Sequence, residues 1–337
     1  MKTRTLLFTA PHCVEIRESP LKGPGAGQAL VATTCSAISP GTEMLVYRGE
    51  FPPGVPVDAN FPGLSGSFAY PLAYGYASTG QVLEVGAGVD PSWRGRQVVA
   101  FQPHSSHFVA DVSALYPLPE ETPPERACLL PNMETAVTLV QDAAPLLGEH
   151  VLVFGQGIVG LLTAALLCEF PLQALVSVEC HPRRRAASLE LGVSASLDPN
   201  GADFRTQVRE HMPAGADLAL ELSGAPQALD EAIALTGFAG RVVIGSWYGQ
   251  KRTALDLGST FHRSRIRLVA SQVSTIAPEL TGRWDKARRL AQAWSALARV
   301  RPERWVTQRF PLEQAGQAYA LLDETPGEAI QVLLEYS

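Results

Sequence analysis

The chain contains few cysteines, and they are scattered. None of the five belongs to a C-x-x-C pair; they are Cys13, Cys35, Cys128, Cys168 and Cys180. Small disulfide-stabilised domains and four-thiolate zinc lobes both need paired or clustered cysteines, so neither is expected here. We interpret the five as reduced thiols, which favours a cytoplasmic location.

Long hydrophobic and basic runs are lacking as well. The apolar run near the N-terminus covers residues 6–8, which is too short for a signal peptide or a membrane span. The longest apolar stretch, residues 158–168, contains a threonine and is followed by Glu169, as is typical of a buried helix. Because the net charge is −6 and no basic run occurs, neither a membrane nor a nucleic acid is an expected partner.

The length of the chain is typical of about two domains, and its composition is typical of a packed protein. The chain has 337 residues, of which 46% are hydrophobic and 18% are charged. Its first third is rich in glycine and proline and contains the strand-like segments "ALVATTCSAIS", "GQVLEVGAGV" and "GRQVVAF". Short strands with frequent turns predict a β-barrel-like domain. Residues 51–71, which include five prolines, predict a long loop.

The pattern changes beyond residue 123. A helix is predicted within "PPERACLLPNMETAVTLVQDA", and strands and helices alternate from residue 150 onward. The predicted strands are "HVLVFG", "ALVSVE", "ADLALELSG", "GRVVIGSWYG" and "RIRLVASQVS". This alternation predicts parallel strands joined by right-handed crossovers, and therefore a doubly wound sheet. A long helix in "PELTGRWDKARRLAQAWSALA" and a strand in "EAIQVLLEY" complete the chain.

Three glycines stand where the first of these strands passes into a helix, in "VLVFGQGIVGLLTAALL". Gly155 permits a tight turn, Gly157 lets the backbone approach a phosphate, and Gly160 lets the helix pack close to the sheet. The first N–H groups and the positive end of the helix dipole then favour an anion. The sequence therefore predicts a dinucleotide whose pyrophosphate contacts this turn, made by Gly155, Gln156, Gly157, Ile158, Val159 and Gly160.

An acidic residue at the end of the next strand bears on the choice of dinucleotide. Glu179 follows Gly155 by 24 residues, close to the spacing of about 20 expected for a carboxylate that binds the ribose hydroxyls. This favours NAD over NADP. The following "HPRRR" leaves NADP open, because Arg184 and its two arginine neighbours would suit a 2′-phosphate. The alternative interpretation is that these arginines are solvated cations at a helix start.

Several segments together resemble the medium-chain dehydrogenase/reductase superfamily, which includes alcohol dehydrogenases and quinone reductases. They are "SAISPGTEMLVYRG", "YPLAYGYASTGQVLEVGAGV", "GRQVVAF", "VLVFGQGIVG", "ELSGAPQALDEAI", "GRVVIGSWYG" and "FPLEQAGQAYALLD". The first two are most similar to the bacteriochlorophyllide hydroxyethyl dehydrogenase group. The resemblance implies an α/β fold with a GroES-like β-barrel catalytic domain over residues 1–133, completed by residues 274–337. A Rossmann cofactor domain would then occupy residues 134–273.

The sequence departs from the zinc-dependent members at the positions of their metal ligands. Those positions here hold Pro40, Tyr76 with Ala77, and Pro131. Proline has no ligand atom and a neutral phenol is a poor substitute for imidazole, whereas catalytic zinc needs about three protein ligands. We therefore expect no metal, and do not expect His104 with His107 to restore a site.

The resemblance also implies which residues face the nicotinamide and the substrate. Thr42 matches the hydroxyl residue that starts the proton relay, and Tyr76 could donate to the substrate oxygen; both could equally be structural. His104 is a candidate proton relay, and Glu134 could bind substrate or cofactor, or serve as a carboxylate at a helix start. Glu43 is expected to be a structural anchor paired with a cation. Further cofactor-binding residues implied by the resemblance are Thr135, Ser223, Gly245, Ser246 and Trp247.

The function expected from these observations is zinc-independent, NAD(P)-dependent hydride transfer between a nicotinamide and a secondary alcohol or ketone. The loop at residues 51–71 would provide a wall for a bulky small-molecule substrate. Two alternatives stay open: a quinone or enone reductase, and a dinucleotide-binding redox sensor with little turnover. The resemblance further implies a homodimer that pairs the strand near "RLVASQ" across a two-fold axis.

Overall fold

The computed structural model describes residues 1–52, 54 and 68–336, and within it the chain forms two units. The first consists of Met1–Pro131 and Arg301–Ser337, and the second of Asn132–Val300. The predicted loop at residues 51–71 lies mostly outside the described residues. Among the residues that are described, no helix is long and apolar enough to cross a membrane.

The first unit is built mainly from short strands. They are β1 (Lys2–Ala10), β2 (Cys13–Pro20), β3 (Gln28–Ala37), β4 (Ser78–Val85), β5 (Gln97–Ala100), β6 (His107–Asp111), β7 (Leu115–Pro117), β14 (Val306–Pro311) and β15 (Gln331–Glu335). Its helices are α1 (Thr42–Arg48), α2 (Pro124–Ala127) and α9 (Ala315–Glu324).

Strands from both ends of the chain share one sheet in this unit. Strands β1 and β2 form a separate antiparallel hairpin. The larger sheet has the order β14-β15-β3-β4-β5-β7, and β6 also pairs with β3. Helix α9 contributes to a core shared with β1 and α1, in which Phe8, Met44 and Tyr319 are fully buried. Burial of this apolar surface, at about 25 cal/mol per Å², is the main term that holds the unit together.

The second unit alternates strands and helices. Its strands are β8 (His150–Phe154), β9 (Ala174–Val178), β10 (Ala195–Leu197), β11 (Ala216–Glu221), β12 (Thr236–Ile244) and β13 (Arg267–Ala270). The helices are α3 (Leu130–Ala143), α4 (Ile158–Leu167), α5 (Pro182–Leu189), α6 (Phe204–His211), α7 (Pro226–Leu235) and α8 (Lys286–Val300). The strands pair in parallel in the order β10-β9-β8-β11-β12-β13, which confirms the predicted doubly wound sheet.

Two features of this unit differ from the sequence-based expectation. The strand β10 and the helix α6 were not expected, because a three-residue strand and a helix with two buried residues give weak periodicity. The chain also returns to the first unit at Arg301 rather than at residue 274. The reason is that α8 packs on α4 and that Arg289 of α8 bonds to Glu134 of α3.

Candidate functional site

The glycine turn between β8 and α4 has the geometry that the sequence predicts. Gly155 has a φ of +87°, and a Cβ added there would lie 2.6 Å from the Cα of Ser223. A Cβ added at Gly160 would lie 2.0 Å from the carbonyl oxygen of Gly155. At Gly157, by contrast, an added Cβ meets nothing within 4 Å. Two of the glycines are therefore required by the protein's own packing, and the third borders open space.

This open space lies where a doubly wound sheet binds its ligands. Strand β8 lies between β9 and β11, so the strand order of the sheet reverses at β8, and the crevice at its carboxyl end is a switch point. Helix α4 begins at Ile158, and its first N–H groups have no carbonyl partner within the helix. Those of Ile158, Val159 and Gly160 are the groups that a pyrophosphate would meet. The described residues thus fit the predicted dinucleotide.

Glu179 is held rigidly beside this turn, just beyond the end of β9. One carboxylate oxygen accepts the N–H of Gln156 at 2.7 Å, and the other accepts the N–H of His181 at 3.0 Å. The N–H of Gln156 is therefore engaged by the protein rather than free for a phosphate. The Gln156 side chain is buried, and its Nε2 donates to the carbonyl of Gly155 at 3.0 Å. Gln156 fixes the shape of the turn, which corrects its expected role in direct binding.

The arginines after Glu179 differ from one another. Arg185 donates to the carbonyl oxygens of Glu179 and Cys180, each at 2.8 Å, and forms an ion pair of 3.0 Å with Asp198. It is therefore a structural residue rather than a solvated cation. Burial lowers the pKa of Arg184, and this outweighs the opposing effect of the nearby Glu179 carboxylate. Arg184 thus lies close enough to Glu179 to interact with it electrostatically.

The ends of β11 and β12 bring further predicted residues to the same edge of the sheet. The buried carboxylate of Glu221 accepts the N–H of Ser223 at 2.8 Å, the Ser223 hydroxyl, and the Tyr248 hydroxyl at 2.5 Å. The Ser246 hydroxyl accepts the N–H of Gly224 at 2.9 Å. Both serines therefore hold the loops in place through bonds within the protein.

Three predicted cofactor residues remain: Gly245 and Trp247 after β12, and Thr135 in α3. Gly245 follows β12, where an added Cβ would lie 2.5 Å from the end of the Leu139 side chain, so a larger residue would require that side chain to shift. Trp247 is 37% exposed, and Thr135 lies half-buried in α3.

Glu134 is not available as a catalytic group in this structure. Its carboxylate and the Arg289 guanidinium form an ion pair of 2.7 Å in which each side chain is 1% exposed. Arg289 also donates to the carbonyl oxygens of Val273 at 2.6 Å and Thr275 at 2.9 Å. The pair fixes the segment after β13 to α3 and α8. The expected substrate or cofactor contact of Glu134 is corrected accordingly.

In the first unit, three hydroxyl groups lie together around Tyr76, which by resemblance holds a position that is a metal ligand in zinc-dependent members. The Tyr76 hydroxyl lies 2.6 Å from the Ser39 hydroxyl and 3.3 Å from that of Thr42. We call Ser39, Thr42 and Tyr76 the hydroxyl cluster. Burial raises the pKa of Tyr76, and its hydrogen bonds to the other two residues oppose this in part. The phenol is therefore in its protonated form at neutral pH and can donate a hydrogen bond.

A buried chain of hydrogen bonds lies behind the hydroxyl cluster. His104 Nε2 lies 2.9 Å from a Glu43 carboxylate oxygen, and His104 Nδ1 lies 2.6 Å from the Ser36 hydroxyl. Tyr319 donates to the same Glu43 oxygen, and the hydroxyls of Ser36 and Tyr336 are 2.7 Å apart. His104 is fully buried, and both its ring nitrogens are bonded within the protein. The role of His104 as a proton relay stays a prediction.

Comparison with known proteins extends this picture. The sequence model of the family described as zinc-binding dehydrogenase matches residues 159–293. The 2-desacetyl-2-hydroxyethyl bacteriochlorophyllide A dehydrogenase of Rhodobacter capsulatus is 26% identical over 100% of this chain and 99% of that protein. The (R,R)-butanediol dehydrogenase of Bacillus subtilis is 30% identical over 61% of this chain and 66% of that protein.

A solved structure shows the same fold over nearly the whole length. It is described as a short chain alcohol dehydrogenase from Escherichia coli CFT073 complexed with NADH. Its TM-score is 0.79 and its identity 17%, and the match covers 99% of each chain. This chain belongs to the medium-chain dehydrogenase/reductase superfamily. It is accordingly an oxidoreductase of the nicotinamide-dependent, alcohol dehydrogenase-like class.

The described residues do not fit the zinc ion after which this branch of the superfamily is named. Around Tyr76 the possible donors are neutral hydroxyls, which are poor zinc ligands beside imidazole and thiolate. Glu43 and His104 are buried and bonded to each other. Among the described residues, the one group of three His, Cys, Asp or Glu side chains close enough to share an ion is Glu179, Cys180 and His181. It lies in the second unit, beside the glycine turn.

The sequence alone did not single out several residues that take part in the hydrogen-bond networks described above. They are Ser36, Glu221, Arg289, Tyr319 and Tyr336. Glu221 ends a strand, as Glu179 nearly does, and this position was the available signal. Tyr319 and Arg289 lie 276 and 155 residues from their partners, so no local pattern could have paired them.

Proposed function

We propose that this chain is a zinc-independent dehydrogenase that transfers hydride between NAD and a secondary alcohol or its ketone. The hydroxyl cluster carries this proposal. Tyr76 holds, by resemblance, a position that is a metal ligand in zinc-dependent members. Burial keeps its phenol protonated, and the phenol is bonded to Ser39 and Thr42. Such a group can polarise a carbonyl oxygen and exchange a proton with it without a Lewis acid.

The residues of the second unit would hold the cofactor. The first N–H groups of α4 bind the pyrophosphate, and the Glu179 carboxylate accepts the ribose hydroxyls. When bound, the nicotinamide supplies or accepts the hydride. Gly157 keeps the approach to the turn open.

The hydroxyl cluster would donate a proton to the substrate oxygen in one direction of the reaction and remove it in the other. The Tyr76 hydroxyl oxygen lies 2.6 Å from that of Ser39, and rotation about its C–O bond would turn its hydrogen to the substrate oxygen. As the ketone carbon gains hydride, the Tyr76 proton passes to the oxygen, and Ser39 or Thr42 donates to the phenolate that remains. In the oxidative direction the same groups take the proton away.

The preference for NAD follows from Glu179. Its carboxylate is buried and bonded to two backbone N–H groups, so it cannot turn aside for a 2′-phosphate. We expect NADH to bind more tightly than NADPH in a fluorescence titration. In Glu179→Gln the preference for NADH should weaken, whereas Glu190→Gln, on the exposed side of the same region, serves as the matched control. Tighter binding of NADPH to the parent protein would reassign Arg184 to the phosphate.

Turnover is tested with a panel of ketones, quinones and enones in the presence of NADH. Consumption of NADH with ketones supports the proposal. Consumption with quinones or enones alone supports a reductase, and no consumption despite tight NADH binding supports a sensor. The bulky nature of the substrate stays a prediction, because the loop expected to contact it lies mostly outside the described residues.

Zinc independence and the homodimer each have a direct test. We expect elemental analysis of the active protein to find no stoichiometric zinc, and a chelator to leave the activity intact. The dimer stays a prediction that is supported by the position of β13 at the edge of its sheet, and sedimentation equilibrium measures it. The cytoplasmic location also stays a prediction.

A further inference from the structure

The Glu43–His104 pair is a buried pair of ionisable side chains beside the hydroxyl cluster. Glu43 bonds to the backbone of Ser39, and His104 lies against Gly75, which precedes Tyr76. Both side chains are fully buried, and their atoms approach to 2.9 Å. The proposed reaction does not use either residue directly. Burying such a pair costs free energy unless its hydrogen bonds are satisfied, and here each partner makes further bonds.

On one side, Glu43 fixes the turn that carries Ser39 and Thr42. Its Oε1 accepts the N–H of Ser39 at 2.9 Å, while its own N–H donates to the carbonyl of Ser39 at 3.0 Å. These reciprocal bonds close the turn that leads into α1. The other oxygen, Oε2, accepts from His104 and from Tyr319. Loss of the His104 bond would therefore leave Tyr319 as the one described side chain that holds Oε2 and would loosen the carboxylate that closes the turn.

On the other side, the His104 ring lies directly against the residue before Tyr76. A Cβ added at Gly75 would lie 2.7 Å from both Cδ2 and Nε2 of His104. Gly75 has a φ of +122°, a conformation that side chains rarely adopt. The backbone that leads into Tyr76 thus rests on the ring that also bonds to Glu43.

We propose that His104 is a positioning residue for the proposed reaction. Through Glu43 it holds Ser39 and Thr42, and through its contact with Gly75 it holds Tyr76, so that the three hydroxyls keep their mutual distances. The inference rests on the proposed function for its kinetic consequence. Its structural part, that His104 restrains the turn, can be tested without turnover.

Two conservative substitutions separate the two bonds of His104. The amide of His104→Gln reaches the position of Nε2 and can keep the bond to Glu43. The amide of His104→Asn reaches only the position of Nδ1 and keeps the bond to Ser36. The matched control is Ser36→Ala, which removes the bond at Nδ1 and leaves the Glu43 side intact.

The first measurement is amide hydrogen exchange of the peptide that contains Ser39 and Glu43. We expect this peptide to exchange faster in His104→Asn, and to exchange as in the parent in His104→Gln and Ser36→Ala. If His104→Asn does not fold, Glu43→Gln takes its place, with the same faster exchange expected. Unchanged exchange in the variant that loses the Glu43 bond would overturn the proposal.

The second measurement is steady-state kinetics with the best substrate of the panel. We expect kcat to fall about 10- to 100-fold in His104→Asn, since displacement of a reacting group by about 1 Å costs that much, while the Kd for NADH stays unchanged. His104→Gln should recover most of the loss. If kcat falls in proportion to the fall in Tm, and does so to the same degree in Ser36→Ala and in His104→Asn, His104 has a structural role alone. If the parent turns over no acceptor, the proposed function fails, and the exchange result decides the positioning by itself.

Discussion

Replacement of Gly157 by alanine offers a direct test of the dinucleotide site. The backbone of Gly157 has φ −66° and ψ −175°, which alanine adopts without strain. Its added methyl group meets no protein atom within 4 Å. We therefore expect the free energy of unfolding to change by less than about 0.5 kcal/mol, as for a surface substitution.

The matched control is Gly160→Ala, three residues further along. There the methyl carbon would lie 2.0 Å from the Gly155 carbonyl oxygen, about 1 Å inside the closest approach that real side chains show. Helix α4 or the turn must shift, at a cost of about 1–3 kcal/mol for an overpacked site. Gly157→Ala should therefore weaken ligand binding without changing the stability, whereas Gly160→Ala should lower the free energy of unfolding.

Urea denaturation and NADH fluorescence titration measure the two effects separately. In Gly157→Ala the methyl group occupies the approach to the turn, so the Kd for NADH should rise about tenfold or more, equivalent to about 1.4 kcal/mol. The midpoint of unfolding without cofactor should stay at the parent value. If Gly157→Ala binds NADH as tightly as the parent protein, the pyrophosphate does not contact this turn and the assignment of the site is refuted.

Three further outcomes follow from the buried groups. Tyr76→Phe should lower kcat by about 10²–10⁴ while leaving the Kd for NADH unchanged, and a kcat near the parent value would remove the phenol from the mechanism. Arg289→Met should lower the free energy of unfolding by about 3–5 kcal/mol in urea, because it leaves the Glu134 carboxylate buried and unpaired; adding Glu134→Leu should recover part of this, and no recovery would contradict the reasoning. Burial raises the pKa of Tyr319 and Tyr336, so their neutral forms favour the folded state. This contribution is fully present below the unfolded pKa of about 10 and is lost as pH rises further. The urea midpoint should therefore fall as the pH rises above about 10, and less so in Tyr319→Phe; an equal fall in both proteins would exclude Tyr319 as a cause.

The sequence predicted those parts of the fold that depend on local patterns. The run through β8, the glycine turn and α4 combines an apolar strand, a turn and an apolar helix within 18 residues, and each has its own periodicity. The boundary at Arg301 could not be read in this way. It depends on packing between α8 and α4 and on a bond between residues 155 positions apart.

The residues of the candidate site also fall into two groups: those that a sequence pattern indicates, and those whose surroundings depend on distant parts of the chain. Gly155, Gly160 and Glu179 belong to a pattern with a recognisable spacing along the chain, and their geometry agrees with what that spacing indicates. His104 could be noticed as a histidine, but its burial and its bond to Glu43 depend on a helix and a loop that bring together residues 61 positions apart. A residue type shows which chemistry is available, whereas burial decides whether that chemistry can reach a ligand.

The pairing of β15 with β3 has a consequence for the order of events during synthesis. The sheet of the first unit closes when Leu333 and Leu334 pair with Ala37 and Ser36, strands that lie near opposite ends of the chain. The second unit, in contrast, is contiguous from Asn132 to Val300. On the ribosome the second unit can therefore complete its fold early, while β3 keeps an unpaired edge until β15 has been synthesised.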